Sequence, residues 1–305
     1  MAGGRHDSAV TLPSLSWHVD LGPKAGHSGL NLLSMVERAT GRQRPETSSA
    51  QLAVTAALAL IRARHGASDV RSKGGLDLVT GTDIAAQAAI RSVLTERHPE
   101  YRFMGEEGER PDLSATDDRY WLVDPVCGTR NFASRVPLYC TNVALVEGGE
   151  VVLAVVGNGA DGSLLFAERG RGAFVVRANT NEQLHCSDDS STILLEPIGP
   201  SHSGGDGAAE AIRNAVQRAR WFVRTLGTTL GLAYLASGAV AGVRYFSALR
   251  EKADPVHLAA GALLAKESGA LVTDGQGNPW RPFTSRGLVG AATALLHKEL
   301  LTLAD

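Results

Sequence analysis

Hydrophobic residues recur at helical spacing in two segments of the N-terminal half of the chain. The first predicted helix begins at one of the two serines at positions 48 and 49, either of which offers an N-cap hydroxyl, and it ends at Gly66. Its predicted apolar face consists of Leu52, Ala56, Ala59 and Leu60. The second predicted helix begins at Thr82-Asp83 and runs to residue 97, because Pro99 cannot continue it.

Further along the chain, short apolar runs replace the helical spacing and predict a β-sheet. The runs cover residues 120–123, 142–147, 151–158 and 163–167 and are separated by turns that contain glycine. The sequence Glu147-Gly-Gly-Glu150 joins the two middle runs and predicts a β-hairpin.

Helices and strands alternate again beyond Cys186. A strand is predicted at 193–196 and helices at 208–220, 229–237 and 255–268, the last with Asp254 as N-cap and Pro255 at its first position. This interleaving predicts a layered αβαβα sandwich with an N-terminal α+β domain at 48–185 and a C-terminal α/β domain at 186–305. Residues 1–47 are predicted to form a partly disordered N-terminal extension with a short helix at 30–38.

The charge balance argues against two classes of partner. The 305 residues include 30 Lys+Arg and 32 Asp+Glu, a formal net charge of −2 that favours neither nucleic acid nor an anionic membrane. The sequence has no apolar run of about 18 residues, the length that predicts a transmembrane helix, and its first residues lack the pattern of a secretory signal. Three cysteines are too few, and odd in number, for a disulfide framework. We therefore expect a cytoplasmic protein without nucleic-acid or membrane partners.

Four polar segments carry the candidate chemistry. They are residues 73–83, Gly105-Glu-Glu-Gly108, Asp124-Pro-Val-Cys-Gly-Thr129 and His257-Leu-Ala-Ala-Gly261. Their order and spacing resemble the inositol monophosphatase family, whose relatives include fructose-1,6-bisphosphatase and the phosphoadenosine phosphatases. The resemblance runs from about residue 49 to the C-terminus, and it implies the two-domain αβαβα sandwich of that family and a homodimer.

The same resemblance implies a reaction. A member of this family would hydrolyse a small, anionic phosphate monoester, such as a sugar, cyclitol or nucleotide-derived phosphate. Divalent ions held by carboxylates would neutralise the phosphate, activate a water molecule and stabilise the leaving oxygen. In the family's motif the metal-ligand positions fall on Glu106, Asp124 and the carbonyl group of Val126.

Other motif positions imply contacts with water and phosphate. Thr129, paired with Asp83, would orient the attacking water, although Asp83 also suits a helix cap. The backbone amides of Gly128 and Thr129 would bind the phosphate, and Lys73 is a further candidate for phosphate binding.

Two positions depart from the family's pattern. Cys127 stands at the second acidic position of the loop, and His257 stands where the family has an Asp before its helix. Cys127 has three open interpretations. It is an inert replacement in a site that has lost function, or a soft ligand that with His257, Asp124 and, as a further candidate, Glu106 suits Zn²⁺ rather than Mg²⁺. The third interpretation is a nucleophile whose thiolate is favoured by His257 and the loop amides. Asp254 is a candidate substitute carboxylate as well as a helix cap.

These interpretations give three hypotheses about function. The favoured one is metal-assisted phosphomonoester hydrolysis with an altered metal site and one divalent ion, Mg²⁺ or Zn²⁺, because the water-orienting pair and two ligands are retained. The second is an enzyme of another reaction class that uses Cys127 and His257 without the usual Mg²⁺ ions. The third is a non-catalytic protein that binds a phosphate ligand, since a fold does not fix a function.

Overall fold

The computed structural model describes residues 43–64, 70–74, 77–108, 111, 119–177, 180–197, 206–218, 220–246 and 254–304. The predicted helix at 30–38 and the predicted extension up to residue 42 lie outside these ranges. The helices are α1 (Pro45–Ala63), α2 (Gly81–Arg97), α3 (Thr129–Ala133), α4 (Asp206–Gln217), α5 (Leu230–Ala236), α6 (Pro255–Glu267) and α7 (Ala294–Leu301), with a 3₁₀ turn at Thr302–Ala304. No helix of the described ranges is long and apolar enough to cross a membrane.

The strands form a small hairpin and two sheets. The hairpin pairs β1 (Arg71–Gly74) with β2 (Asp77–Val79). The large sheet contains β3 (Arg102–Gly105), β4 (Arg119–Cys127), β5 (Cys140–Glu147), β6 (Glu150–Asn158), β7 (Leu164–Glu168), β8 (Ala173–Arg177) and β9 (Thr180–Leu184), in chain order. The small sheet contains β10 (Thr192–Pro197), β11 (Phe222–Arg224), β12 (Gly242–Phe246), β13 (Leu271–Thr273) and β14 (Leu288–Ala291), in the order β11-β10-β12-β14-β13.

The large sheet is antiparallel except at its first pair, β3 and β4, which run parallel. Glu147 pairs with Glu150 in register, so the predicted hairpin at this turn is confirmed. All residues of β4 after Arg119 are buried, which requires that both faces of the sheet be covered. Helices α1 and α2 cover one face, and α5 and α6 cover the other.

Helix α6 lies between the two sheets. Its residues Val256, Ala259 and Leu263 pack toward the large sheet, whereas Leu258 and Ala262 pack toward the small sheet. A helix that is apolar on all sides belongs in such a buried layer. Helices α4 and α7 cover the outer face of the small sheet. The order of layers is therefore αβαβα, and the predicted sandwich is confirmed.

The start and the buried face of α1 differ from the prediction. The helix begins at Pro45, within the predicted extension, because proline at the first helical position has a backbone angle already suited to a helix. Its buried apolar face consists of Ala50, Ala53, Val54, Ala57, Leu58 and Ile61. The predicted apolar face is wrong: Leu52 is 42% exposed, Ala59 is exposed as well, and Ala56 and Leu60 are only half-buried.

Helix α2 begins with a reciprocal capping box that reaches into the candidate site. The Thr80 hydroxyl oxygen accepts hydrogen bonds from the backbone N–H groups of Thr82 and Asp83. In return, Asp83 Oδ2 accepts from the backbone N–H of Thr80 at 3.0 Å. Such a box satisfies otherwise unpaired backbone donors at the helix start and also fixes the Asp83 side chain.

Candidate active site

The site lies at the C-terminal end of β4, where the strand turns into α3. The register between β4 and β5 shifts between Asp124 and Cys127, so the regular alternation of side chains is interrupted there. Gly128 follows with φ 95° and ψ 38°, a left-handed conformation that favours glycine. A Cβ atom at Gly128 would lie 2.9 Å from the carbonyl oxygen of Leu138, so the turn is also closely packed.

Thr129 and Asp83 lie together, as the sequence predicts. The Thr129 hydroxyl lies 3.0 Å from Asp83 Oδ1 and 3.0 Å from the carbonyl oxygen of Val126. Burial raises the pKa of Asp83, although hydrogen bonds from Thr80 and Thr129 act in the opposite direction. Asp83 thus serves the helix cap with one carboxylate oxygen and contacts Thr129 with the other.

Asp124 and His257 form a buried acid–imidazole pair. His257 Nδ1 lies 2.7 Å from Asp124 Oδ2, and the Asp124 side chain is fully buried while that of His257 is 33% exposed. Burial raises the pKa of Asp124 to about 7, with a further rise from Cys127 and an opposing effect from His257. Burial opposes protonation of His257, but the charge of Asp124 and its hydrogen bond raise the pKa of the imidazole well above its usual value. The pair therefore holds a proton between Nδ1 and Oδ2.

Cys127 is buried against residues of the next layer. Its Sγ atom lies 3.0 Å from the Thr229 hydroxyl and accepts a hydrogen bond from the Thr229 backbone N–H at 3.2 Å. Contact with Cys140, its cross-strand partner, and burial both raise the pKa of the Cys127 thiol. This direction is contrary to the interpretation of Cys127 as a nucleophile with a favoured thiolate, because the lowering effect of His257 on the pKa is smaller than the raising effects of Cys140 and burial.

Glu106 follows β3 and lies close to both aspartates of the site. Its backbone N–H donates to the carbonyl oxygen of Val123 at 2.9 Å, which holds it beside β4. Its side chain forms a hydrogen bond that lowers the pKa of Asp124, and its charge raises the pKa of Asp83. The three carboxylates are thus brought to one place by β3, β4 and the start of α2.

Two other candidates stand apart from this cluster. The Oδ1 atom of Asp254 accepts from the backbone N–H of Val256 at 3.2 Å and caps α6, which confirms the cap predicted from the sequence. The backbone of Lys73 belongs to β1, whereas its side chain lies outside the described part of the chain.

The donor atoms of the site suit metal ions of two kinds. Carboxylate oxygens of Glu106 and Asp124 and the carbonyl oxygen of Val126 are the ligands that a hard ion such as Mg²⁺ prefers. Ligand atoms of Asp124, Cys127 and His257 lie within 4.8 Å of one another, a sulfur–nitrogen–oxygen set that suits a softer ion. Among the described residues no hydrogen-bond donor reaches the buried Oδ1 atom of Asp124. A buried carboxylate oxygen without a donor fits a bound cation.

Thr228, Thr229 and Asn142 belong to the site, and the sequence analysis did not identify them. Asn142 Nδ2 donates to the Thr229 hydroxyl at 2.9 Å, and the Thr228 hydroxyl donates to the carbonyl oxygen of Cys127 at 3.1 Å. Threonines before a helix are common as caps. Their local sequence therefore gives no sign that they contact Cys127, about 100 residues earlier in the chain.

The layers and the carboxylate-lined turn together define a phosphatase-type αβαβα sandwich. The chain belongs to the inositol monophosphatase family, which it matches over residues 43–305. A fructose-1,6-bisphosphatase/inositol-1-monophosphatase of Thermotoga maritima is 33% identical over 235 residues, 76% of this chain and 85% of that protein. A Nus factor SuhB of Pseudomonas aeruginosa is 32% identical over 240 residues, 76% of this chain and 84% of that protein.

The solved structures agree with this assignment. An IMPase of Thermotoga maritima superimposes with a TM-score of 0.71 at 28% identity and covers 83% of this chain and 94% of its own. An inositol monophosphatase of Anabaena shares the fold with a TM-score of 0.69 at 21% identity, over 85% of this chain and 94% of its own. The resemblance to a phosphatase family is thus confirmed.

Proposed function

We propose that the protein is a phosphoric monoester hydrolase that acts on a small, anionic phosphorylated metabolite, such as a sugar, cyclitol or nucleotide-derived phosphate. One observation carries this proposal. The Thr129 hydroxyl lies 3.0 Å from both Asp83 Oδ1 and the Val126 carbonyl oxygen, immediately beside the carboxylates suited to a divalent ion. A hydroxyl held by a buried carboxylate next to a metal site is placed to orient a water molecule.

The proposed cofactor is one divalent ion held by Glu106, Asp124 and the carbonyl group of Val126. When bound, such an ion neutralises phosphate charge and makes its bound water more acidic. The proposal is supported by the three oxygen donors at the ends of β3 and β4, and by the buried Asp124 Oδ1 atom that no donor of the described residues reaches.

This chain's own residues would bind and orient the other reactants. We assign water orientation to Thr129, with Asp83 accepting its hydroxyl proton as a hydrogen bond. The backbone N–H groups of Gly128 and Thr129, at the left-handed turn, and the Lys73 side chain would bind the phosphate. Cys127 and His257 would modify the metal site rather than attack the substrate, an assignment supported by the raised pKa of the buried thiol.

The proposal also covers the domain boundary, the oligomeric state and the location of the protein. A boundary near residue 186, between units at 48–185 and 186–305, is supported by the end of the large sheet at Leu184 and the start of the small sheet at Thr192. We also propose a homodimer, which the family resemblance implies, and a cytoplasmic location, which the free thiols of Cys127, Cys140 and Cys186 support. Light scattering of the purified protein measures the oligomeric state directly.

The decisive experiment measures phosphate release from a panel of phosphate monoesters with Mg²⁺, Mn²⁺ or Zn²⁺. Thr129→Val removes the hydroxyl at nearly constant shape, and we expect a loss of about 10²–10⁴-fold in rate, as for removal of a proton-handling group. Thr95→Val is the matched control, because Thr95 is a half-buried residue of α2 whose hydroxyl donates to its own helix, at the carbonyl oxygen of Arg91. No turnover with any metal, together with ligand-induced thermal stabilisation, would favour the non-catalytic hypothesis. Turnover that needs no metal and is abolished by Cys127→Ala would favour another reaction class.

A further inference from the structure

We infer that Asp124, Cys127 and His257 form a three-ligand zinc site. Two of these residues end β4, and the third lies in the first turn of α6. The zinc ion would lie beside the ion proposed at Glu106, Asp124 and the Val126 carbonyl group, so the inference deepens the proposed function and rests on it for the chemical role of the zinc. The binding of the ion itself is tested without turnover.

The positions of the donor atoms fit the size of a zinc ion. Zinc binds sulfur at about 2.3 Å and nitrogen or oxygen at about 2.0–2.2 Å, so ligand atoms at neighbouring corners of a tetrahedron are about 3.5 Å apart. The donor atoms of the three residues lie within 4.8 Å of one another. Side-chain movements of about an ångström therefore bring all three to bonding distance of a single ion.

The buried carboxylate is a second and independent observation. Asp124 is fully buried, and its Oδ1 atom meets no hydrogen-bond donor among the residues that the structure describes. Buried carboxylate oxygens normally have a hydrogen-bond partner, and a bound cation would supply the partner that Oδ1 lacks. Its other oxygen already faces the His257 ring at 2.7 Å, so the carboxylate and the imidazole are held together in advance.

Thr229 prepares the sulfur atom for a cation. Asn142 Nδ2 donates to the Thr229 hydroxyl oxygen at 2.9 Å, which leaves the hydroxyl proton free to point at Cys127 Sγ, 3.0 Å away. The Thr229 backbone N–H donates to the same sulfur at 3.2 Å. Two donors directed at one sulfur suit a metal-bound thiolate, and such supporting hydrogen bonds fix the orientation of a ligand.

The kind of donor selects the ion. Mg²⁺ requires near-octahedral oxygen ligands, whereas a thiolate, an imidazole and a carboxylate suit Zn²⁺. Three protein ligands leave a fourth position for water or substrate, the composition found in catalytic zinc sites.

The test begins with protein stripped by a chelator and reloaded with Zn²⁺, Co²⁺ or Mg²⁺. We expect elemental analysis to find one Zn²⁺ or one Co²⁺ per chain that survives dialysis against excess Mg²⁺. The Co²⁺ form should show a thiolate-to-cobalt charge-transfer band. Loss of a residue that only hydrogen-bonds to a metal ligand lowers metal affinity by about 10–100-fold. Cys127→Ser and His257→Gln remove ligands themselves, so we expect a larger loss of zinc affinity in both variants. Cys186→Ala is the matched control, because Cys186 does not belong to the ligand set, and this variant should keep the ion and the band.

Thr229→Val gives a milder variant that keeps the backbone N–H and removes only the hydroxyl. We expect it to fold, as judged by circular dichroism, and to bind zinc about 10–100-fold more weakly. Equal zinc content in Cys127→Ser and the unaltered protein, or a Co²⁺ form without the thiolate band, would overturn the inference. That result leaves Mg²⁺-dependent phosphate release intact, whereas a full zinc site without phosphate release refutes the proposed function alone.

Discussion

Replacement of Gly128 by alanine tests the geometry of the turn that carries the site. The added Cβ would lie 2.9 Å from the carbonyl oxygen of Leu138 and 3.1 Å from Cβ of Thr228, in a residue with φ +95°. Two costs therefore combine, the strain of a left-handed conformation and a close contact with backbone. Gly170→Ala separates them, because Gly170 has φ +75° but nothing within 4 Å of an added Cβ.

The expected difference in melting temperature between these two variants follows from the one cost that they do not share. Left-handed strain costs about 1–2 kcal/mol in an L-residue and is common to both, so it largely cancels. Overpacking costs about 1–3 kcal/mol and arises only at Gly128. At about 2–4 °C per kcal/mol for large domains, Gly128→Ala should melt about 2–12 °C below Gly170→Ala. Thermal and urea unfolding measure this difference, and equal stabilities would refute the packing of the turn described above.

Two further predictions concern stability alone. Burial raises the pKa of Glu196 to about 7 from 4.5, against hydrogen bonds from the backbone N–H groups of Leu226 and Gly227. The folded protein thus binds this proton more tightly than the unfolded chain does. The contribution of Glu196 to the free energy of unfolding should therefore fall by about 3 kcal/mol as the pH rises from 4.5 to about 7. Urea unfolding measured across this pH range should show a free energy of unfolding that falls less steeply in Glu196→Gln than in the unaltered protein. Identical slopes would contradict the raised pKa of Glu196. Ile61→Ala should lower the free energy of unfolding by about 2–5 kcal/mol, because Ile61 is fully buried. Leu52→Ala should change it by about 0.5 kcal/mol or less. Equal losses in the two variants would contradict the assignment of the buried face of α1.

Much of the framework follows from local sequence signals. The Gly148-Gly149 pair predicts its hairpin, and Asp254 with Pro255 predicts the start of α6, because these residues determine backbone conformation by themselves. The Asp83–Thr129 contact was also predicted, but from the family motif rather than from local physics. Local signals work where a single residue restricts its own backbone.

The remainder depends on contacts distant in sequence. Helix α1 carries apolar residues on nearly all sides between Ala50 and Ile61, so periodicity alone cannot select its buried face. Strands β11 and β13 have three residues each, too few for an alternating pattern to be visible. The role of Thr229 arises only when α5 packs against the end of β4, and nothing near Thr229 in the sequence indicates that contact.

The joining of β4 to α6 has a consequence for how the protein is made. Asp124 and His257 are 133 residues apart in sequence, yet their side chains meet at 2.7 Å. At about 5–20 residues per second, a ribosome needs about 7–27 s to add the segment between them. The nascent protein therefore presents Asp124 and Cys127 without their histidine for many seconds, and the full set of donors exists only after His257 has been added.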